Sequence, residues 1–554
     1  MNPKIKRIIE EFARRGFIVT ADFLEEINGD FDIEEFLKNL RLVYGNNIPR
    51  ILTKEVLVKV KNKKTGETLR KERKIKVKTN GKSITLTQFF KEVKETEEVK
   101  IEKTVKIEQK VIIKEKPKEV EIIEPKKRYI GEEIETNIKI EKNYVNPPEE
   151  ISVPAWAQYF KVRLKKLMKA LKLHKEMLNV VSIDLAKKKE NEEVSIAGLV
   201  YEKRILPNGN VKLILEDPTG YITVYVKKDS ELYSLAKSIP EDSVIGVFGT
   251  IKNETVFPEQ IFLPDVPQKE KKTAPIKEDI YVIFTGDFQF GNKLFLKKEF
   301  EKFIKWLKGE YGNEKQREMA RKVAYWVIPG DIVDGIGVYP NQREELEIDD
   351  IYKQYEVFEK YLEEVPEHIK IIVIPGNHDV VVRLAEPQPP IPKEYLPNAY
   401  QMKNVYFLSN PSYVRIHYTK DFQGFLTLIY HGYSMDWLVS NVEMIRQNGG
   451  YENAVLIMKF MLQLRHLAPT HGSTAYIPYP SEDPLLIDPI PDIFVTGHIH
   501  RTAYGNYKGI DLINASCWQG LTIFQKEMGH IPDPAKVVIK NLRTGEVKIL
   551  SFKN

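Results

Sequence analysis

A chain of 554 residues, 42% hydrophobic and 30% charged, is too long for a single hydrophobic core and too apolar to stay unfolded, so several globular domains are expected. Its formal charge of +6 is small for that length and permits a nucleic-acid partner without demanding one. The single cysteine, Cys517, excludes internal disulfides and zinc sites built on several cysteines; with no apolar run long enough to span a bilayer, a cytoplasmic protein without a membrane partner is expected.

Residues 1–50 read as a small helical domain, with Ile5, Ile8, Ile9 and Phe12, then Phe23, Leu24, Phe36, Leu37 and Leu40, at helical spacing. Over 51–150 charge alternates with Val and Ile, as in "EEVKIEKTVKIEQKVIIKEKPKEVEIIEPKK", and nothing offers a core; a flexible tether is expected, with "KKRY" (126–129) a solvated charge run. "VPAWAQYFKVRLKKLMKALKLH" opens a helical connector over 151–190. Residues 191–266 hold five short strands joined by turns such as "PNGN" and "DPTG", with a helical stretch before the fourth, the pattern of an OB-type barrel. Tyr201, Tyr221 and Tyr225 could stack bases there, but no basic cluster accompanies them and a subunit-contact role is preferred. A Pro-bounded linker (267–279) leads into an α/β domain over 280–554.

In that last domain one pattern repeats, an apolar run ending in a loop of metal-ligand residue types. "VIFTGDFQFG" carries Asp287 and Gln289, "VIPGDIVDG" Asp331 and Asp334, and "VIPGNHD" Asn377, His378 and Asp379. "LIYHGYSMD" carries His431, and "FVTGHIH" His498 and His500. Each piece alone is an ordinary turn; the ordered set is not. Buried strands delivering polar groups at one end are how α/β architectures build sites, and a glycine beside each group lets the chain turn.

The order D-x-Q, G-D-x-x-D-G, G-N-H-D, H-G, G-H-x-H resembles the calcineurin-like metallophosphoesterases, in which the second motif residue is usually histidine. The resemblance implies a two-sheet α/β sandwich following the OB-type barrel, and two divalent ions, Mn2+ foremost with Mg2+ admitted. One ion would be held by Asp287, Gln289, Asp331 and His500, the other by Asp331, Asn377, His431 and His498. Asp331 would bridge them, His378 would serve the leaving oxygen, and Asp334 and Asp379 would support the ligands from behind. Two ions about 3.5–4 Å apart can activate water and neutralise both oxygens of a phosphodiester in displacement.

"YHGYSMD", "LRHLAPTHG" and "INASCWQGLTIFQKEMGHIPDPAKV", with an OB segment ahead, are similar to the small subunits of archaeal family-D DNA polymerases. That implies a 3′→5′ proofreading exonuclease acting on single-stranded or mispaired DNA ends beside a large catalytic subunit, with a sliding clamp a further partner. The loop "THGSTAYIPYPSED" (470–483) is expected to shape the DNA channel, Tyr476 stacking a base, or else to be an ordered interface loop. His471 is the candidate to replace in space the imidazole that Gln289 lacks. Gln289 offers a neutral amide oxygen, weaker than imidazole. The rival readings are a scaffold subunit with a weakened site and a stand-alone phosphoesterase.

Overall fold

The computed structural model describes residues 129–148, 151–527 and 529–553, together with parts of the first sixty residues. The chain divides into two compact units, Met1–Glu121 and Ile122–Asn554. In the first, β1 (Ile18–Val19) and β2 (Ile51–Leu52) pair in parallel, and α1 (Ile33–Tyr44) lies between them in sequence. Phe36 and Leu40, one helical turn apart, join Phe12, Phe23, Leu52, Leu57 and Val60 in an aromatic-rich core. The small domain therefore continues past residue 50 to Val60. Most of the expected tether lies outside the described residues.

Its last part does not behave as a tether. Ile130–Glu133 forms one helical turn, and β3 (Ile138–Lys142) runs antiparallel to Ser412–Ile416, with Ile138 opposite Ile416 and Ile140 opposite Val414. Tyr144 is buried, and its N–H donates to the Ser409 hydroxyl at 2.8 Å. The charged-apolar alternation is that of an edge strand whose core is supplied from far along the chain.

The connector helix α2 (Val153–Leu171) starts at Ser152, whose hydroxyl accepts from the Ala155 N–H, and buries Tyr159, Arg163, Leu167 and Leu171 on one face. Next come β4 (Glu193–Ile205), β5 (Val211–Asp217), β6 (Gly220–Val226), β7 (Val244–Lys252) and β8 (Thr255–Phe262), closed as a barrel in the order β4-β5-β6-β8-β7. A short helix, Tyr233–Ser238, precedes the fourth strand. Val211, Leu213 and Leu215 of β5 and Ile222, Val224 and Val226 of β6 fill the barrel, while Tyr201 and Tyr221 stay outside with rings 5.0 Å apart. The linker is pinned to the next domain, with Lys269 and Lys272 both paired to Asp492.

The last domain runs β9 (Tyr281–Phe284), α3 (Lys297–Leu307), β10 (Val323–Ile328), α4 (Ile351–Glu363), β11 (Lys370–Val373) and β12 (Val405–Phe407). It continues through β13 (Ser412–Ile416), β14 (Phe425–Ile429), α5 (Met435–Asn441), α6 (Ala454–Leu464), β15 (Ile493–Thr496), β16 (Ala503–Tyr507) and β17 (Ile510–Asn514) to β18 (Lys536–Asn541) and β19 (Val547–Ser551). Two six-stranded sheets result, ordered β12-β11-β10-β9-β18-β19 and β16-β17-β15-β14-β13-β3.

Strand alternation builds three layers of core. Val282, Phe284, Tyr325, Val327 and Ile372 face between the sheets, against Val414, Ile429 and Val495. The intervening Ile283, Trp326, Ile328, Ile371 and Val373 face α3 and α4 instead. On the second sheet, Leu426, Leu428, Phe494 and Leu512 pack on α6. Strands buried on both faces read as unbroken apolar runs. Among the described residues, no helix is long and apolar enough to cross a membrane.

Candidate metal centre

Parallel neighbours β9, β10 and β11 all end at the same edge of the first sheet, and parallel neighbours β14 and β15 do so in the second. The loops that follow carry every predicted ligand. Asp287, Asp331 and His500 bring ligand atoms within 4.8 Å of one another, and so do Asp331, His431 and His498. Asp331 belongs to both groups.

The turns that deliver these side chains are strained. Asp287, Gln289, Asp331, His498 and His500 all hold left-handed backbone, with φ of 47°, 55°, 51°, 70° and 52°. Such conformations cost a non-glycine residue on the order of 1 kcal/mol or more, and they gather where function over-determines the backbone. The flanking Gly376 and Gly497 work differently from the turn role their sequence suggests. A Cβ on Gly497 would lie 2.5 Å from Asp287 Oδ2, and one on Gly376 would collide with Asp331 Oδ1. Both glycines make room for carboxylates.

Donor atoms converge without partners. Asp287 Oδ2 and Gln289 Oε1 are buried with nothing to accept from. Gln289 spends its amide on Asp331, donating from Nε2 at 2.9 Å. His431 Nδ1 lies 2.8 Å from the Pro329 carbonyl, which can only accept, so the proton sits there and Nε2 is a lone pair. That lone pair points at Asn377 Oδ1, 2.8 Å away. His498 donates from Nε2 to Asp436 at 2.9 Å, and its Nδ1 faces the same Asn377 oxygen at 3.0 Å. With the amide oxygen of Asn377 turned this way, the three lone pairs form an arrangement that a cation would satisfy. Mixed carboxylate, amide and imidazole donors fit a divalent ion such as Mn2+.

Electrostatics agree with that use. Burial draws His431 down to about 4 and His500 to about 3, keeping both imidazoles neutral. Burial, reinforced by the neighbouring Asp331 charge, pushes the Asp287 carboxyl well above the usual carboxylate range. Asp331 is as deeply buried, yet His431 and His378 outweigh that and hold it at about 2.

The supporting residues have distinct tasks. His378 Nδ1 donates to the Asp334 carbonyl at 2.7 Å, leaving Nε2 to face the cleft, 3.9 Å from Asp331 Oδ2. The Asp334 carboxylate accepts from Asn292, Gln342 and Gln519, tying three loops together. Asp379 accepts from the Ile332 and Gly376 N–H groups and from the Tyr355 hydroxyl, and burial raises it to about 7. Asp436 and Gln525, whose amide nitrogen lies 2.7 Å from His500 Nδ1, were not foreseen from the sequence. The cleft they help to line holds about 300 Å³.

Two sequence candidates sit elsewhere. Tyr476 is 6% exposed, stacked on Tyr159 at 5.7 Å and packed against Trp156, so its ring faces are taken and it is no base platform. His471 donates its N–H to Asp242 of the barrel domain and packs against Trp156, and it belongs to neither ligand group. The loop is an internal interface instead.

Residues 194–263 match the family of OB-fold nucleic acid binding domains, and residues 282–504 match the family of the B subunit of DNA polymerases alpha and epsilon, which sets the class: polymerase accessory subunits. The chain is 38% identical over 439 residues to DNA polymerase II small subunit of Pyrococcus abyssi, covering 75% of this chain and 69% of that one. It is 41% identical to those of Methanothermobacter thermautotrophicus and Archaeoglobus fulgidus, covering 71% and 72% of this chain and 78% of each relative. The chain belongs to the family of DNA polymerase II small subunits.

Proposed function

We propose that this small subunit carries a two-metal phosphodiesterase centre that trims single-stranded or mispaired DNA from the 3′ end, in complex with a large catalytic polymerase subunit. The observation that carries it is the convergence of two ligand groups that share Asp331, with Asp287 Oδ2 and Gln289 Oε1 buried and unpartnered at the first. Asp287, Gln289, Asp331 and His500 would hold one ion, and Asp331, Asn377, His431 and His498 the other. When bound, such a pair supplies an activated water and charge neutralisation at the phosphodiester.

The chain's own groups do the rest. The Asp334 carbonyl fixes the His378 proton on Nδ1, so Nε2 exchanges a proton with the departing oxygen. Asp379 and Asp334 hold the loops that place His378 and Asp331. The 3′→5′ polarity rests on the family resemblance.

The test is the purified chain on 3′-labelled and 5′-labelled single strands in Mn2+, beside His378→Ala and Gln289→His. Shortening from the 3′ end, lost in His378→Ala, supports the proposal. No cutting by the wild type or by Gln289→His, alone or with the large subunit, overturns it. Gln289 favours a second reading, a scaffold, because its amide nitrogen is already committed to Asp331; that outcome would establish it.

A further inference from the structure

Past His378 the metal cleft opens into a second chamber of about 600 Å³, against about 300 Å³ for the cleft itself. Val338, Asn377, His378 and Tyr433 line both, so the two are continuous. The chamber's own walls are Ile336 and Leu384, over the backbone of Gly335 and Gly337. Its polar groups are engaged with the fold. Asp379 is saturated as described, and Gln388 donates to the Gly376 carbonyl and accepts from Asn410. What remains for a ligand is one aromatic ring and aliphatic surface. These side chains are left in water at a cost, with Leu384 63% exposed, Tyr433 45% and Ile336 41%.

The volume falls in the ~300–1,000 Å³ range of small-molecule sites, which are apolar with a few convergent polar groups. Here the convergent groups are those of the metal centre, and they serve an anion. The chamber's occupant must therefore be flat and apolar-faced, and attached to a phosphodiester. Tyr433 stands edge-on to His498, their planes 89° apart and centroids 5.6 Å apart, so packing against a ligand holds it upright at the boundary of the two spaces. We propose that the chamber takes an unpaired nucleobase next to the scissile bond, with Tyr433 as its stacking face. This rests on the function proposed above. A base can enter only after leaving its pairing partner, so the chamber restricts cutting to unpaired ends.

The experiment compares two 5′-fluorescein single strands, one normal and one abasic at its last two positions, binding to the full chain by anisotropy with Ca2+ replacing Mn2+. Wild type should bind the normal strand roughly 5- to 100-fold more tightly, the span that base–aromatic stacking commonly supplies. Tyr433→Ala should level the two affinities, Tyr433→Phe should keep the preference, and Leu384→Glu should weaken it. Equal binding of both strands by wild type, or a preference that survives Tyr433→Ala, overturns the chamber. Cutting in Mn2+ is read in parallel. Cutting without discrimination sinks the chamber alone, whereas discrimination without cutting by wild type or Gln289→His, alone or with the large subunit, supports the chamber and sinks the phosphodiesterase.

Discussion

Asp436 decides what His498 offers. By accepting from Nε2 it leaves Nδ1 as the lone pair that meets Asn377 and His431. Removing such an orienting partner commonly costs about 10- to 100-fold in metal affinity. Asp436→Ala should therefore weaken Mn2+ binding by about that factor in a calorimetric titration, with little change in melting because the side chain is 42% exposed. Gln289→His should act oppositely, tightening one of two binding steps. An isotherm indifferent to that change would show that position 289 is no ligand. The candidate ligands were legible because each closes an apolar run. Asp436 lies in "YHGYSMD" but could not be assigned, since α5 turns it away from His431, its sequence neighbour, and onto His498 from another strand.

Among the elements, β3 is the one whose removal should be felt. Its ladder with β13 covers a sheet edge, and Arg415 pairs with Glu141 across it at 2.6 Å. A chain beginning at residue 129 should melt like the parent unit. One beginning at 144 should melt several degrees lower and aggregate, because an uncovered edge strand recruits other chains. Equal melting curves for the two would refute the edge-strand assignment. The alternation that β3 shares reads as a tether, since an edge strand shows its pattern on one face only and the partner that supplies its core is remote. Tyr476 failed for a related reason. A Pro- and Tyr-rich loop reads as exposed, whereas the aromatic residues of α2 that bury it lie far upstream.

In the whole molecule, one buried cluster joins connector, barrel and sandwich. Arg163 donates to the Asp483 carboxylate at 2.7 Å and to the Asp242 and Pro469 carbonyls, while Tyr159 and His466 also donate to Asp483. Arg163→Met would strand the Asp483 charge and should cost about 3–5 kcal/mol in denaturant melts, the usual result of halving a buried pair. The cluster also makes the fold acid-sensitive. Burial, helped by Arg163, draws His466 down to about 4, so between about pH 6.5 and 4 the unfolded chain binds a proton that the folded one refuses. Stability should fall through that window as pH drops. His466 and Arg163, acting against burial, hold Asp483 below its ordinary range, and its loss follows at still lower pH. In His466→Gln the decline should be shallower, so its deficit against wild type should narrow with acid; a constant gap would exclude His466 as a source. The barrel was readable from strand patterning and turn residues, and the sandwich from the ordered motifs that carry the family resemblance. This junction was not, because a lone Arg on an amphipathic helix ordinarily faces water.

The left-handed turns at the metal centre set thermal robustness against competence. Replacing Asp287, Gln289, Asp331, His498 or His500 with glycine relieves backbone strain and removes a proposed ligand in the same step. A library screened for heat tolerance alone should rewrite these five codons early. Under the two-metal reading proposed above, the proteins it returned would outlast the parent at high temperature while losing their grip on metal.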